Sequence, residues 1–150
     1  MSGVVRPAVG GDVAAVKALV DKAYEHYVER IGVRPAPMDN DHAAQVAAGQ
    51  VFVVGTPLIG ALVLVAAQDH LYVDSVAVDP AHQGEGLGRL LLEYAEEHAR
   101  ALGLPEIRLL TNAKMWENQR IYPKLGYEVV ERRIDQGRDR VFYRKPVPPP

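Results

Sequence analysis

The first third of the chain has apolar residues at helical spacing. Asp12 stands where an N-cap is wanted, and the apolar positions after it are Val13, Val16, Leu19, Val20, Ala23, Tyr24, Tyr27 and Ile31. This spacing predicts an amphipathic helix. We expect a short strand over residues 4–6 before it, closed by Pro7. A loop over residues 32–38 and a short helix over residues 39–48, ended by Gly49, should follow it.

The middle of the chain is rich in β-branched and other apolar residues. Three runs, at Val51–Val54, residues 58–67 and Leu71–Val78, are separated by turn signals at Thr56-Pro57 and at residues 68–70. Because these connections are short, we expect the three strands to form an antiparallel meander.

Helical and extended patterns alternate after the meander. They predict a long helix over residues 87–102, a strand over residues 107–111 and a helix over residues 115–125. The long helix joins two strands, so this part should be a right-handed parallel crossover. A closing hairpin is expected over residues 127–134 and 140–144.

These elements predict an α/β (α+β) fold with a mixed, mostly antiparallel central sheet and helices on both faces. We expect a single domain over residues 1–150, because this length suits one core and neither a repeat nor a linker interrupts the pattern. Residues 146–150 contain four prolines and are expected to be a frayed tail.

Composition and charge exclude several classes of function. The net charge is −2 without a run of Lys or Arg, which argues against a nucleic-acid partner. The chain has no cysteine, so disulfides, cysteine nucleophiles and thiolate metal sites are excluded. The five histidines lack ligand spacing, and we expect them to be surface or helix residues with no metal site. Neither a secretory signal nor a membrane-spanning run is recognisable, so we expect a cytoplasmic protein without a membrane partner.

The candidate chemistry lies where the third strand of the meander ends and the long helix begins. From Val78 the chain reads Asp79-Pro80-Ala81-His82-Gln83-Gly84-Glu85-Gly86-Leu87-Gly88-Arg89. Glycines let the backbone approach a ligand closely, and the first turn of a helix offers unpaired N–H groups. The segment therefore predicts a phosphate site. It is neither a P-loop, which needs Lys-Ser or Lys-Thr, nor a Rossmann fingerprint, which needs glycine at the position of Arg89.

Two motifs resemble the GCN5-related N-acetyltransferase (GNAT) superfamily. The first combines a valine, a proline and the glycine loop, at Val78, Pro80, Gln83, Gly84, Gly86 and Gly88. The family takes glycine or alanine at the last of these positions. The second is Tyr122-Pro123-Lys124-Leu125-Gly126-Tyr127, which resembles the family's Tyr-x-Lys/Arg-x-Gly-Phe/Tyr. The order of predicted elements also fits the family.

This resemblance implies a GNAT-type acyl-CoA N-acyltransferase fold and transfer of an acetyl group from acetyl-CoA to an amine. It implies that the acceptor is a small molecule or a peptide, and a homodimer is one possible assembly. Pantetheine would bind the backbone of Val76, Ala77 and Val78, between two strands that splay apart. The pyrophosphate would bind Gln83, Gly84, Glu85, Gly86, Leu87, Gly88 and Arg89.

The family also places a CoA-contacting asparagine seven residues before the tyrosine, where this chain has Met115. Asn118 lies on the same predicted helical face as Tyr122 and is our candidate substitute. Asn112 follows a predicted strand; it either lines the cleft, bound to pantetheine or acceptor, or caps the next helix, and we favour the cap.

Direct attack of an amine on a thioester needs a base and an acid. Tyr122 is the candidate proton donor to the leaving thiolate, against the alternative of an aromatic residue that only packs. Asp74 is the candidate base, because it precedes Val76 by two residues and so shares its face of the strand. The alternative for Asp74 is a surface carboxylate at a strand end. Two other functions are a non-catalytic acyl-CoA-binding or sensor module on the same fold and a small nucleotide- or phosphate-binding protein.

Overall fold

The computed structural model describes residues 4–149, which form a seven-stranded mixed sheet with four α-helices. The strands are β1 (Arg6–Pro7), β2 (Val51–Val54), β3 (Gly60–Ala66), β4 (Leu71–Val78), β5 (Glu106–Asn112), β6 (Glu128–Asp135) and β7 (Arg138–Pro146). The helices are α1 (Val13–Ile31), α2 (His42–Ala47), α3 (Leu87–Ala101) and α4 (Trp116–Lys124). Short 3-10 turns lie at Gly10–Asp12, Ala36–Asp39 and Pro80–His82.

The strand order is β1-β2-β3-β4-β5-β7-β6. The pairs β1–β2, β2–β3, β5–β7 and β6–β7 are antiparallel, whereas β4 and β5 run parallel. The predicted fold class and the parallel connection through the long helix are therefore confirmed. The right-handed sense of that connection remains a prediction.

The chain forms two compact units. The first contains the chain up to Val65 together with Asp74–Tyr94, and the second contains Ala66–Val73 and the chain from Ala95 onward. Strand β4 and helix α3 each contribute residues to both units.

In the first unit, strand β2 is covered on both faces, because all four of its residues are buried. Val51 and Val53 pack in one cluster with the apolar stripe of α1. Phe52 points the other way and packs against Tyr94 of α3, with 5.1 Å between the centroids of the tilted rings. Successive residues of a strand face opposite sides, so helices cover both faces here, as predicted.

Asp12 does not cap α1 with its side chain, contrary to expectation. Its carboxylate accepts a hydrogen bond from the N–H of Val9 at 2.8 Å and from Arg6 at 2.8 and 3.0 Å. The hydrogen bond from Arg6 is the main reason that the pKa of Asp12 is lowered to about 2. The residue thus closes the 3-10 turn that precedes the helix. The short second helix also starts later than predicted, at His42, because Asp41 caps it by accepting from the N–H of Ala44 at 3.0 Å.

The second unit is built on the antiparallel pair of β5 and β7, which is in register from Glu106–Pro146 to Asn112–Arg140. The β6–β7 turn is tighter than predicted, since Gln136 and Gly137 both adopt positive φ and form a two-residue connection. The predicted fraying does not begin at Pro146, which belongs to β7. Val147 is buried, and its N–H donates to the carbonyl of Pro105 at 2.8 Å.

Candidate functional site

The candidate residues fall into two groups, one in each unit. The first unit holds Asp74, the backbone of Val76, Ala77 and Val78, and the glycine loop from Gln83 to Arg89. The second unit holds Asn112, Asn118 and Tyr122.

Strand β4 alternates between buried and half-buried residues along its whole length. Val73, Ser75 and Ala77 are buried, whereas Asp74 and Val76 are half-buried. Asp74 and Val76 therefore share one face, as their spacing predicts. The carbonyl of Val76, proposed as a pantetheine partner, already accepts a hydrogen bond from the hydroxyl of Tyr24 at 2.9 Å. A carbonyl has two lone pairs, so this contact leaves room for a second donor.

One oxygen of the Asp74 carboxylate is held by a neighbouring segment. The side-chain amide of Asn40 donates to Oδ2 of Asp74 at 2.8 Å. Asn40 lies between the turn Ala36–Asp39 and helix α2. Asn40 has no recognisable signal in the sequence, because the polar residues of a loop carry no periodicity.

The glycine loop connects β4 to α3 through a capped turn. Asp79 accepts a hydrogen bond from the N–H of Ala81 at 2.9 Å. It also forms an ion pair with Lys22 at 3.2 Å. The first of these contacts is the main reason that the pKa of Asp79 is lowered. Pro80–His82 then forms the 3-10 turn that leads into the glycines.

The backbone of the loop adopts conformations that favour glycine. Gly84 and Gly86 have φ of 83° and 82°, in the left-handed region. A Cβ built on either glycine meets no other atom within 4 Å, so the space beside the loop is open. The first helical hydrogen bond runs from the N–H of Leu90 to the carbonyl of Gly86 at 3.0 Å. The N–H groups of residues 87–89 thus have no acceptor within the helix, which favours an anion.

Charged side chains beside the loop are already paired. Arg89 lies 3.7 Å from Glu93 one turn further along α3, and both are well exposed. His82 contacts Glu85 at 3.1 Å. Exposed pairs of this kind contribute little to stability, on the order of 0–1 kcal/mol, so the Arg89 guanidinium remains available to a phosphate.

In the second unit, Tyr122 lies on α4 with its half-buried ring against two other tyrosines. Its ring centroid is 5.9 Å from that of Tyr127 and 5.4 Å from that of Tyr143. Burial is the main reason that the pKa of Tyr127 is strongly raised. The Tyr127 hydroxyl has no hydrogen-bond partner within residues 4–149. The cluster therefore has one half-buried tyrosine and two buried ones.

Both candidate asparagines of this unit make local contacts. Asn112 accepts from the N–H of Lys114 at 2.9 Å, which closes the turn after β5 rather than capping α4. The side-chain amide of Asn118 donates to the hydroxyl of Thr111 at 3.1 Å. Asn118 also lies beside Met115, whose sulfur is 3.7 Å from the same nitrogen.

His42, the first residue of helix α2, is a helix residue, as expected for the histidines that do not lie at the surface, and it is buried. It is 3% exposed, and neither ring nitrogen has a hydrogen-bond partner in the described part of the chain. Burial lowers its pKa, and the nearby charge of Lys17 adds to this effect. Across residues 4–149, no three His, Asp or Glu side chains form a group that would hold a metal ion. In the same range, no helix is long and apolar enough to cross a bilayer.

The family model for the acetyltransferase (GNAT) domain matches residues 47–129, more than half of the chain. The chain belongs to this GNAT family. The matched residues include β4, the glycine loop, Asn112, Asn118 and the motif that starts at Tyr122.

Curated relatives within this family include two named mycothiol acetyltransferase. The one from Streptosporangium roseum is 44% identical over 52 residues, which are 35% of this chain and 15% of the relative. The one from Thermobifida fusca is 38% identical over 63 residues, 42% of this chain and 20% of the relative. The chain thus spans a fifth or less of the length of these relatives.

Solved structures share the GNAT fold over nearly the whole chain. The PaiA N-acetyltransferase from Thermoplasma acidophilum, in complex with coenzyme A, has a TM-score of 0.81 at 16% identity, covering 97% of this chain and 99% of its own. The IAA acetyltransferase from Bacillus cereus has a TM-score of 0.73 at 21% identity, with coverage of 97% and 99%. At these identities the likeness shows the fold.

Proposed function

We propose that the protein transfers an acetyl group from acetyl-CoA to a primary amine by direct attack. The observation that carries this proposal is the glycine loop. Gly84 and Gly86 adopt left-handed φ beside open space, and the unpaired N–H groups of residues 87–89 follow at the start of α3. Together they suit the pyrophosphate of CoA.

The cosubstrate would be held mainly by backbone groups. The N–H groups from Gln83 to Arg89 would bind the pyrophosphate, and the Arg89 guanidinium would add charge. Val76, Ala77 and Val78 would bind the amides of pantetheine along β4. Asn112 and Asn118 are further candidates for contacts to CoA. Because the amides of Asn112 and Asn118 already bind Lys114 and Thr111, their remaining polar atoms would have to serve.

Two side chains would move protons during the reaction. The amine nitrogen bonds to the carbonyl carbon of the thioester, and the C–S bond breaks. Asp74 would accept a proton from the attacking nitrogen, directly or through water. Tyr122 would donate its phenolic proton to the departing thiolate. After the transfer, Asp74 would release its proton to solvent and Tyr122 would regain one from solvent.

A thiol-release assay tests this function against the alternative of a non-catalytic CoA-binding module. The full chain is mixed with acetyl-CoA and a panel of small amines, amino acids, amine antibiotics and peptide N-termini, and free thiol is measured. We expect amine-dependent thiol release with at least one acceptor class. Binding of acetyl-CoA without release for any acceptor would favour the binding module, and the absence of binding would reject both.

A cytoplasmic location and a homodimer are further parts of this proposal. The complete lack of cysteine fits a reducing compartment. Edge strand β6 exposes Val129, Val130 and Ile134 by 58%, 55% and 75%, which supplies an apolar surface for a second copy. Sedimentation of the purified chain across a range of concentrations tests the dimer.

A further inference from the structure

The Asp74 carboxylate is bound by the protein on one side only. Oδ2 accepts the hydrogen bond from Asn40 at 2.8 Å. Oδ1 has no protein partner among residues 4–149, and it is not one of their buried unpaired atoms, so solvent reaches it. The carboxylate is therefore anchored through one oxygen and open at the other.

Asn40 is held in place by buried neighbours on both sides. Met38, two residues before it, is 5% exposed, and His42, two residues after it, is 3% exposed. The N–H of Asn40 donates to the carbonyl of Pro37 at 3.3 Å. The next residue, Asp41, caps helix α2. The amide of Asn40 thus reaches Asp74 from a fixed backbone.

Asp74 is also held by its own strand, because Val73 and Ser75 on either side are 4% and 6% exposed. A carboxylate on such a strand can still rotate about its side-chain bonds. A hydrogen bond from a fixed neighbour removes most of that freedom, and hydrogen bonds to charged groups are stronger than those between neutral groups. The bond therefore decides which oxygen faces the open side.

We propose that Asn40 is a positioning residue that holds Oδ2 of Asp74, so that Oδ1 is presented to the acceptor amine. This inference rests on the proposed role of Asp74 as the base. Asn40 itself exchanges no proton in the step: the proton leaves the attacking nitrogen and arrives at Oδ1 of Asp74.

A double-mutant cycle separates positioning from a purely structural role. Asn40→Leu keeps the approximate volume and removes the donor. We expect it to lower kcat about tenfold, the equivalent of about 1.4 kcal/mol, with the KM for acetyl-CoA unchanged. In an Asp74→Asn background, Asn40→Leu should lower kcat no further. An equal loss in both backgrounds, or no loss in the wild-type background, would overturn the proposal.

Exchange of the two side chains gives a second measurement if Asn40→Leu folds poorly. Asn40→Asp combined with Asp74→Asn keeps an amide–carboxylate hydrogen bond but leaves an amide where the base is needed. We expect the exchange to retain the thermal midpoint while kcat stays as low as in Asp74→Asn alone. Recovery of kcat by the exchange would show that the pair is only structural.

Asp39→Asn is the matched control, because Asp39 is the exposed neighbour of Asn40 and pairs with Arg34 at 3.0 Å. It makes the same carboxylate-to-amide change as Asp74→Asn, one residue away from Asn40, and should leave kcat unchanged. If Asp74→Asn alone has wild-type kcat, the base assignment and this inference both fall. Thiol release by the unaltered chain would then still support acetyl transfer.

Discussion

The candidate acid Tyr122 has a neighbouring tyrosine, Tyr127, whose hydroxyl group serves as a comparison. Tyr122 and Tyr127 lie five positions apart, with their rings 5.9 Å from each other. Tyr127 is 4% exposed and its hydroxyl is unpaired within residues 4–149, whereas Tyr122 is half-buried. A group that gives a proton to a thiolate must reach the ligand, so exposure favours Tyr122 as the acid.

We therefore expect Tyr122→Phe to lower kcat by about a hundredfold, a typical contribution of a general acid. Affinity for acetyl-CoA should hardly change, because the substitution removes one hydroxyl and little volume. Tyr127→Phe is the control and should leave kcat unchanged, since the family motif takes Phe or Tyr there. Steady-state thiol release and a separate acetyl-CoA titration measure the two effects. Equal kcat for Tyr122→Phe and wild type at every pH would make Tyr122 a packing residue.

At the scale of elements, the glycine loop combines backbone shape with open space. Gly86 and Gly103 both have positive φ, 82° and 72°, and a Cβ on either meets no atom within 4 Å. Substitution should strain the backbone similarly at both positions, by about 1–2 kcal/mol. Only Gly86 lies in the proposed pyrophosphate site. A comparison of substitutions at Gly86 and Gly103 therefore separates the effect of backbone strain from the effect of contact with the ligand.

Gly86→Val is expected to weaken acetyl-CoA binding more than about tenfold, or about 1.4 kcal/mol. Gly103→Val should lose similar stability but keep the affinity of the wild type. Gly88→Ala should also bind normally, because the family motif accepts alanine at that position. Calorimetric titration with acetyl-CoA and thermal melts of each variant give both quantities. Unchanged affinity in folded Gly86→Val would remove the loop from the binding site.

Over the whole molecule, local patterns predicted the fold class and most elements, while tertiary contacts set the rest. The buried apolar face of α1 could be predicted because Val16, Leu19 and Val20 repeat at helical spacing, and all three are buried. The role of Asp12 could not be predicted in this way, because its carboxylate accepts a hydrogen bond from Arg6, which lies six residues earlier. The hydrogen bond from Asn40 to Asp74 joins residues 34 positions apart and leaves no local signal. The single domain expected over residues 1–150 remains a prediction.

The burial of His42 could not be predicted from the sequence either, because α2 has only six residues and too few apolar positions to define a buried face. Its burial matters for the stability of the whole chain. Burial also lowers the pKa of His98. Both rings thus resist protonation in the folded state but take up a proton freely in the unfolded chain.

The free energy of unfolding should therefore fall as the pH is lowered from about 7 to 5. A histidine with a lowered folded pKa binds fewer protons than its unfolded form, whose pKa is 6.5. The loss starts near that value and continues down to the folded pKa, at no more than about 1.4 kcal/mol per pH unit for each ring. Around His42, Lys17 adds to the lowering of the pKa, whereas Asp21, Asp41 and Asp74 oppose it. The lowered pKa values of carboxylates such as Asp12 and Glu106 act mainly below the ordinary values of 3.8 and 4.5, which lie below this window.

Denaturant unfolding of the wild type and of His42→Leu from pH 8 to 5 measures the effect. The variant should lose less stability between pH 7 and 5, because only His98 still contributes a burial-lowered pKa. About 1 M salt is the control: it screens the charges of Lys17, Asp21, Asp41 and Asp74 that act on His42, but it leaves a shift caused by burial intact. Identical slopes for the two proteins would mean that His42 takes up its proton as readily in the folded chain as in the unfolded one. Its ring nitrogens would then have to reach water or a carboxylate in solution, and Asp21, Asp41 and Asp74 are the carboxylates whose charges act on it.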